Sequence, residues 1–258
     1  MNTGERPISY SFESLPSLMR ETYVLFEKYA EGKNILDVGC GEGYVTAYLS
    51  KAAKHATGID VDGKVIKMAK KRFLNIKNLS FYKMSGDNLD FLPHSFDVVV
   101  SAQSIEHIKN DNKFLENVKR VLKSNGVFIC VTPNKLSIVP DGEKLYDKPF
   151  YPFHHREYTP EQFFDLLNRY FKDVERKCFC GIKRNPEMRK NRRFKFIYRM
   201  SRFSIVRWAG RHLSADIKKI IWFFGQRHLD IGDAGWTYND YEDEVIPENL
   251  AGICRTPF

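Results

Sequence analysis

The chain has 258 residues, which is enough for one large domain or two small ones and for a substantial hydrophobic core. Its 43% hydrophobic and 28% charged residues, with 16 glycines and 11 prolines, exclude a disordered or fibrous protein. The net charge of +9 is concentrated in residues 183–227, where 14 lysines and arginines stand against two acidic residues, whereas the rest of the chain sums to −3. This basic block indicates a dedicated face for an anionic partner.

The cysteines and the N-terminus indicate the compartment. Five cysteines, an odd number without a Cys-x-x-Cys pair, favour a reducing compartment over a disulfide framework or a zinc site. Residues 1–6 are polar and unlike a signal peptide, and no run approaches the roughly 20 apolar residues that span a bilayer. The predicted location is therefore the cytoplasm.

Strands and helices are predicted to alternate over the first half of the chain. The apolar run at 34–39 predicts a strand, and a glycine-rich turn leads from it into a helix at 44–54. The next elements are predicted in the order strand 56–60, helix 64–73, strand 79–84, strand 96–101, helix 112–122 and strand 126–132. This alternation is typical of a doubly wound α/β sheet, whose ligand crevice lies at the carboxyl ends of the parallel strands.

The pattern changes after residue 133. A proline-containing loop leads to a helix that Thr159 is expected to cap and Pro160 to begin. Strands are predicted at 173–180 and 250–254, with the basic block between them. The predicted organisation is an N-terminal lid or helix (1–30), an α/β core (31–180), a basic, aromatic helical insertion (181–248) and a final strand of the core (249–258).

The strongest chemical signal lies at the first strand-to-helix turn. Asp37 lies in the predicted strand, and three glycines follow at alternate positions: Gly39, Gly41 and Gly43. Glycines let a backbone approach a ligand closely, and the helix that follows offers free N–H groups. Asp60 ends the second strand, where a carboxylate can accept both hydroxyls of a ribose. Tyr44 stands where the dinucleotide pattern has its third glycine, so the turn predicts an adenosyl ligand without a pyrophosphate. The alternative is a turn that serves packing alone.

Residues 35–44 (ILDVGCGEGY) resemble the first motif of class I S-adenosylmethionine-dependent methyltransferases. Further segments resemble this family in order, over about residues 30–180: 58–62, 85–89, 96–101 and 121–127, although Ser124-Asn125 replaces the usual Pro-Gly in the last. The resemblance implies a Rossmann-like sheet of seven strands, mostly parallel with an antiparallel last strand. In this chain the basic helical insertion is expected before that last strand. It also implies S-adenosyl-L-methionine as cofactor and S-adenosyl-L-homocysteine as product.

A narrower likeness concerns the acceptor. Four segments are similar to small-molecule and glycan-biosynthesis methyltransferases of the methyltransferase domain 11 type: 3–7, 104–108, 132–135 and 152–158. This likeness implies O-methylation of a sugar hydroxyl in a glycan or glycan precursor, or of another polar small molecule. The basic insertion departs from the shorter relatives and leaves the acceptor open.

The resemblance also implies roles for single residues. The three glycines would let the backbone approach the methionine and ribose, Asp37 would hold the amino group, and Asp60 would take the ribose hydroxyls. Asp87 would accept from the adenine N6 amine, and the backbone N–H of Asn88 would face N1. The full predicted cofactor set is Asp37, Gly39, Cys40, Gly41, Gly43, Tyr44, Asp60, Val61, Asp87, Asn88, Ser101 and Gln103, of which the last two lie where the methionine portion meets the acceptor. For each acid the alternative is a helix cap or a solvated turn.

A hydroxyl acceptor needs a base that takes its proton, and histidine is the natural candidate. His107 follows the fourth strand and His154 lies in the loop after the fifth, both at the carboxyl-end face, and His107 is preferred. The alternative for each is a loop histidine bonded to the backbone, and His155 is expected to be structural or exposed. No metal site is predicted, because the carboxylates are scattered and no His-x-x-x-His spacing stands at the crevice.

The basic insertion interleaves aromatic and cationic residues at 194–211 and repeats apolar residues at helical spacing over 217–224. Such helices could contact an anionic membrane or glycan, cap the active site, bind nucleic acid, or pack as an amphipathic subdomain. Besides a methyltransferase for glycans or small molecules, an RNA methyltransferase and a non-catalytic cofactor-binding or membrane-adaptor protein stay open. Residues 101–104 read SAQS and lack the signature of amino-directed nucleic-acid methylation, and the intact glycine turn with its two acids speaks against a non-catalytic protein.

Overall fold

A computed structural model describes residues 17–140, 142–181, 190, 192–201, 236–240 and 248–256. The helices are α1 (Ser17–Glu27), α2 (Tyr44–Leu49), α3 (Gly63–Arg72), α4 (Asp111–Val121), α5 (Pro160–Asn168) and α6 (Arg192–Ser201). The strands are β1 (Asn34–Val38), β2 (His55–Asp60), β3 (Leu79–Lys83), β4 (Phe96–Ala102), β5 (Leu122–Pro133), β6 (Asp173–Gly181), β7 (Trp236–Asp240) and β8 (Asn249–Arg255). Two short 3-10 helices cover Ile105–His107 and Lys135–Ile138. The predicted elements of the core are therefore present, although α2 ends five residues earlier than predicted.

All the described strands form one mixed sheet in the order β3-β2-β1-β4-β5-β8-β6-β7. The five strands from β3 to β5 are parallel, and β8 runs antiparallel between β5 and β6. This arrangement confirms the predicted doubly wound methyltransferase sheet with its antiparallel last strand.

The sheet carries one strand more than predicted. Residues 236–240, which the sequence analysis placed in the helical insertion, form β7 and pair antiparallel with β6. The outer edge of β6 would otherwise present unpaired N–H and C=O groups, and β7 satisfies them. Its Trp-Thr-Tyr run also has the aromatic and β-branched residues that favour strands.

Hydrophobic cores lie on both faces of the sheet, as its mostly parallel strands require. Successive residues of β4 point to opposite faces: Val99 packs with Phe114 of α4, and Val98 packs with the core around Phe26 of α1. Thr159 caps α5 in a reciprocal capping box with Gln162, as the Thr-Pro start of this helix predicted. Because β1, β2, β4 and β5 run parallel, their carboxyl ends meet at one edge of the sheet.

Helix α6 shows how part of the basic insertion meets the core. The Tyr198 ring stacks on Tyr146 and Phe150, with centroids 5.2 and 5.9 Å apart, and its hydroxyl donates to the carbonyl of Lys144. α6 thus packs on the loop that precedes the predicted acceptor segment. Residues 1–16, which include the motif at 3–7, and most of the block at 183–227 lie outside the described residues. In the part of the chain that the structure describes, no helix has the length and apolar character needed to cross a membrane.

Candidate cofactor and acceptor site

The glycine turn is tied to the end of β2 by three backbone N–H groups. Those of Gly39 and Cys40 donate to the Ile59 carbonyl at 2.8 and 2.9 Å, and that of Gly41 donates to the Asp60 carboxylate at 3.0 Å. The predicted turn and the predicted ribose acid are therefore in direct contact. The backbone of the glycine turn and the side chain of Asp60 therefore lie at the same point on the edge of the sheet.

The three glycines of the turn differ in what surrounds them. All have positive φ, of 82° at Gly39 and Gly43 and 54° at Gly41, a region that side chains disfavour. A Cβ on Gly39 would overlap the Ser104 hydroxyl, and one on Gly43 would lie 2.5 Å from the Phe81 ring. A Cβ on Gly41 would meet nothing within 4 Å. Packing therefore explains the absence of a side chain at Gly39 and Gly43, whereas the space beside Gly41 is open to a ligand.

Asp37 is a buried acid at the end of β1. It is 3% exposed, and the hydroxyl of Thr46 on α2 donates to its carboxylate at 2.7 Å. Burial raises the pKa of Asp37 to about 7, the Thr46 hydrogen bond opposes this rise and nearby Asp60 adds to it. Tyr23 of α1 is buried beside this acid. Burial raises the pKa of Tyr23, and the negative charge of Asp37 raises it further. The pocket around Asp37 would thus favour a cationic group of a ligand.

Asp60 uses both carboxylate oxygens to organise the backbone around it. Besides the Gly41 N–H, it accepts the N–H of Asp62 at 2.8 Å. Its carboxylate oxygens are acceptors of the kind that ligand hydroxyls need. The next residue, Val61, is 59% exposed and presents an apolar surface at the same edge.

In the loop after β3, the backbone N–H of Asn88 has a hydrogen-bond partner within the loop itself. The half-buried carboxylate of Asp87 accepts the Ser85 hydroxyl, and the Asn117 side chain donates to the Asp87 carbonyl at 3.2 Å. The backbone N–H of Asn88, expected to face adenine, donates to the Ser85 carbonyl at 3.1 Å. A tight turn that closes its own hydrogen bond takes up this donor, which sequence position alone does not reveal.

Three predicted cofactor residues turn their side chains into packing. The Cys40 thiol is buried in a cluster with Phe81, and burial raises its pKa. The Tyr44 ring lies 4.7 Å from the Arg72 guanidinium. Ser101 is fully buried, and its hydroxyl has no hydrogen-bond partner among the described residues. Cys40 and Tyr44 can therefore contribute backbone rather than side-chain contacts to a ligand.

Gln103 turns the chain where β4 ends. Its φ is 52°, a left-handed conformation that costs roughly 1–2 kcal/mol for a residue with a Cβ. Its N–H donates to the Val131 carbonyl at 2.8 Å, and its side-chain amide donates to Asn249 of β8 at 2.7 Å. These two bonds hold the strained residue beside the glycine turn, where such strain is often functional.

The two predicted catalytic histidines lie against each other. The rings of His107 and His154 have centroids 4.8 Å apart and are nearly perpendicular. His107 is partly exposed and its Nδ1 lies 3.4 Å from the Phe153 carbonyl oxygen, whereas His154 is 3% exposed. The structure therefore brings together two residues that are 47 positions apart, at the sheet edge where both were predicted.

Two buried carboxylates that the sequence analysis missed accompany these histidines. Glu106 is 1% exposed and accepts the Thr132 hydroxyl at 3.0 Å; burial raises its pKa, and both histidines oppose the rise. Glu157 is 4% exposed and lies 3.0 Å from Nδ1 of His154. The signal for Glu106 is its position beside His107 directly after a buried strand. Glu157 carries no comparable sequence signal.

Glu106, His107 and His154 each offer a ligand atom, and these atoms lie within 4.8 Å of one another. The backbone joins the two loops involved, since the Glu106 carbonyl accepts the N–H of His155 at 2.8 Å. Sequence spacing does not reveal this group, because its members come from two separate loops. The arrangement can exchange a proton with an acceptor or hold a metal ion.

The fold and the crevice together define a class I S-adenosylmethionine-dependent methyltransferase architecture. Residues 36–130 match the protein family described as a methyltransferase domain. Over 185 residues the chain is 32% identical to the "Probable S-adenosylmethionine-dependent methyltransferase" of Mycolicibacterium smegmatis, covering 67% of this chain and 65% of that protein. It is 35% identical over 136 residues to the ubiquinone/menaquinone biosynthesis C-methyltransferase UbiE of Rickettsia peacockii, and the match covers 49% of this chain and 52% of that protein. The core of this chain is therefore a class I methyltransferase domain, and its relatives imply S-adenosylmethionine as the cofactor.

Solved structures support the fold. The [4+2]-cyclase SpnF is similar over 96% of this chain and 86% of its own, with a TM-score of 0.61 and 16% identity. A protein named for a different reaction thus has the same fold, so the fold does not give the chemistry. The chain also spans just under two thirds of the length of the first curated relatives that it matches.

Proposed function

We propose that this protein transfers the methyl group of S-adenosylmethionine to a hydroxyl of a sugar in a glycan or glycan precursor, or of another polar small molecule. The observation that carries the proposal is that the Gly41–Asp60 contact and the His107–His154 pair lie at the same edge of the sheet. A cofactor beside the first would place its methyl group toward the second, because ligands of such sheets lie across the carboxyl ends of the strands.

The cofactor is proposed to use the predicted set. The buried Asp37 carboxylate receives the ammonium group, Asp60 receives the ribose hydroxyls, and Val61 covers one face of the adenine. The open space beside Gly41 supports a close approach of the ligand to the backbone. Asp87 remains the proposed partner of the adenine amine, whereas Asn88 contributes through the shape of its turn.

The sulfonium carries its own activation, so the protein mainly has to align the acceptor oxygen, the methyl carbon and the sulfur. A neutral hydroxyl is nevertheless a weak nucleophile and must lose its proton as the bond forms. His107, the partly exposed member of the pair, is the proposed proton acceptor. His154, buried against Glu157, is proposed to orient it.

The proposed acceptor is supported by the surroundings of the histidines rather than by the relatives. UbiE is named as a C-methyltransferase, so its name does not support a hydroxyl acceptor. In this chain, α6 packs through Tyr198 on the loop that leads to His154, and Arg199 pairs with Glu143 at 2.6 Å. The position of α6 supports the proposal that the basic insertion lies beside the acceptor. There it would contact an anionic glycan or the anionic membrane surface that carries one.

The test is methyl transfer from radiolabelled S-adenosylmethionine to a panel of sugar nucleotides, lipid-linked glycans, small phenols and total RNA. Label in a carbohydrate, at an oxygen located by mass spectrometry, is the expected result. Sedimentation with anionic vesicles at low and high salt tests the membrane contact of residues 183–227, and we expect binding that salt weakens. Label in RNA alone, or the absence of cofactor binding in calorimetry, would contradict the proposed function.

A further inference from the structure

The Glu106, His107 and His154 side chains have the composition of a metal centre rather than of a simple catalytic dyad. Two imidazoles with one carboxylate are a common ligand set for zinc and other divalent transition metals. Their candidate ligand atoms lie within 4.8 Å of one another. We propose that these three residues bind a divalent transition-metal ion, with Zn²⁺ as the reference ion, at the acceptor end of the crevice.

The groups behind the imidazoles support this assignment. His154 Nδ1 lies 3.0 Å from the Glu157 carboxylate, and the backbone N–H groups of Phe150 and Tyr151 donate to the same carboxylate at 2.7 and 2.9 Å. A carboxylate held in this way fixes the imidazole with its proton on Nδ1 and leaves the lone pair on Nε2. Carboxylate–histidine pairs of this kind are typical partners of metal-binding histidines.

His107 and Glu106 have corresponding supports. Nδ1 of His107 faces the Phe153 carbonyl oxygen, and the Thr132 hydroxyl donates to one oxygen of Glu106. A carboxylate that is 1% exposed is costly to ionise without a cation, and a divalent ion would offset that cost. All three side chains are thus oriented by a second group, as metal ligands usually are.

The distances define what binding requires. Ligand atoms around a tetrahedral Zn²⁺ with bonds of ~2.0–2.1 Å lie about 3.3 Å apart, so no pair of the three has to close by more than roughly 1.5 Å. His107 is partly exposed and gives the ion a route from solvent. Three protein ligands leave at least one coordination position for water or for an acceptor oxygen.

The chemical consequence rests on the proposed function. A hydroxyl bound to the ion has a lowered pKa and gives its proton to bulk water. The resulting alkoxide forms the O–CH₃ bond while the CH₃–S bond breaks and its electron pair goes to sulfur, which leaves S-adenosylhomocysteine. In this form His107 is a ligand, and the ion replaces it as the activating group.

The experiment measures metal binding without any acceptor. The full chain is stripped with a chelator and titrated with Zn²⁺ in a calorimeter, and with Co²⁺ while its visible absorption is recorded. We expect one equivalent of each ion and at least tenfold weaker binding for Glu106→Gln and for His107→Ala. His155→Ala is the matched control, because it removes an exposed neighbouring imidazole and should bind like the native chain.

Folding of the variants is checked by S-adenosylmethionine affinity, which the proposal expects to be unchanged. Absence of binding to the native chain, or equal loss in the His155→Ala control, would overturn the metal site. The catalytic role is tested separately: chelation should abolish methyl transfer and Zn²⁺, Mn²⁺ or Co²⁺ should restore it. Transfer that survives chelation but is lost in His107→Ala would overturn the metal role while leaving the proposed methyltransferase intact.

Discussion

The carboxylate of Asp60 accepts the backbone N–H of Gly41 at 3.0 Å. The residue proposed to bind the ribose therefore also holds the glycine turn in place. The two parts of the cofactor crevice are therefore coupled, although they come from different strands. Removal of this carboxylate would take away ligand contacts and loosen the turn at the same time.

Asp60→Ala is accordingly expected to weaken S-adenosylmethionine binding by at least tenfold in calorimetric titration. Asp62→Ala is the matched control, because Asp62 lies two residues away and caps α3 by accepting the N–H of Lys64. Loss of this cap should lower the free energy of unfolding by about 1 kcal/mol and leave cofactor affinity unchanged. Equal affinities for the two variants would contradict the role of Asp60.

Alanine at Gly39 and at Gly41 should have different effects. Both residues have positive φ, which costs roughly 1–2 kcal/mol once a Cβ is present. Gly39→Ala also overlaps the Ser104 hydroxyl and should cost about 1–3 kcal/mol more in urea unfolding. Gly41→Ala meets open space, so its main effect should be weaker cofactor binding. Adding Ser104→Gly should restore part of the stability of Gly39→Ala, and no restoration would argue against the overlap.

The buried Asp37 should couple cofactor binding to pH. Its pKa of about 7 lies above the usual value, so between about pH 4 and 7 the protein without ligand holds a proton that a cationic ligand displaces. Binding should release a proton, and affinity should rise with pH by up to about tenfold per unit until it levels off above pH 7. Calorimetry at pH 6 in two buffers of different ionisation enthalpy measures this proton.

Asp37→Asn is the control for that linkage. It keeps an oxygen that can accept the Thr46 hydroxyl but does not titrate. The variant should bind S-adenosylmethionine more weakly at pH 8 and without proton release. A native pH dependence that persists in the variant would assign the proton to another group.

Asp111 is expected to position the loop that carries His154. Its buried carboxylate accepts from Arg156 at 2.6 Å and from the Tyr158 hydroxyl at 3.0 Å. Asp111→Ala leaves the buried Tyr158 hydroxyl without this acceptor, which should cost about 1–3 kcal/mol in unfolding and lower turnover without changing cofactor affinity. Asp173→Ala breaks a surface pair with Arg255 and should cost at most about 0.5 kcal/mol. Similar losses in both variants would show that Asp111 has no special role.

Local sequence patterns predicted the framework of this protein. The alternation of strands and helices, the turn of Gly39 to Gly43 and the acid at the end of β2 depend on neighbouring residues, whose period and backbone geometry are written in consecutive positions. The same local information predicted an adenosyl ligand, because a glycine turn followed by a second-strand acid occupies a fixed place in this sheet, and the family resemblance implied S-adenosylmethionine. It also placed both histidines at the correct edge, since strand ends determine that edge.

Tertiary structure alone decided the chemistry at the acceptor end. Glu106, His107, His154 and Glu157 become one cluster only when the loops after β4 and β5 pack together, and no periodicity relates residues about 50 positions apart. Pairing across space likewise added β7 to the sheet, since its partner β6 is 55 residues earlier. The folded turn after β3 also engages the backbone N–H of Asn88, which donates to the Ser85 carbonyl. Sequence determines which groups each strand end presents, and packing determines which of these groups meet.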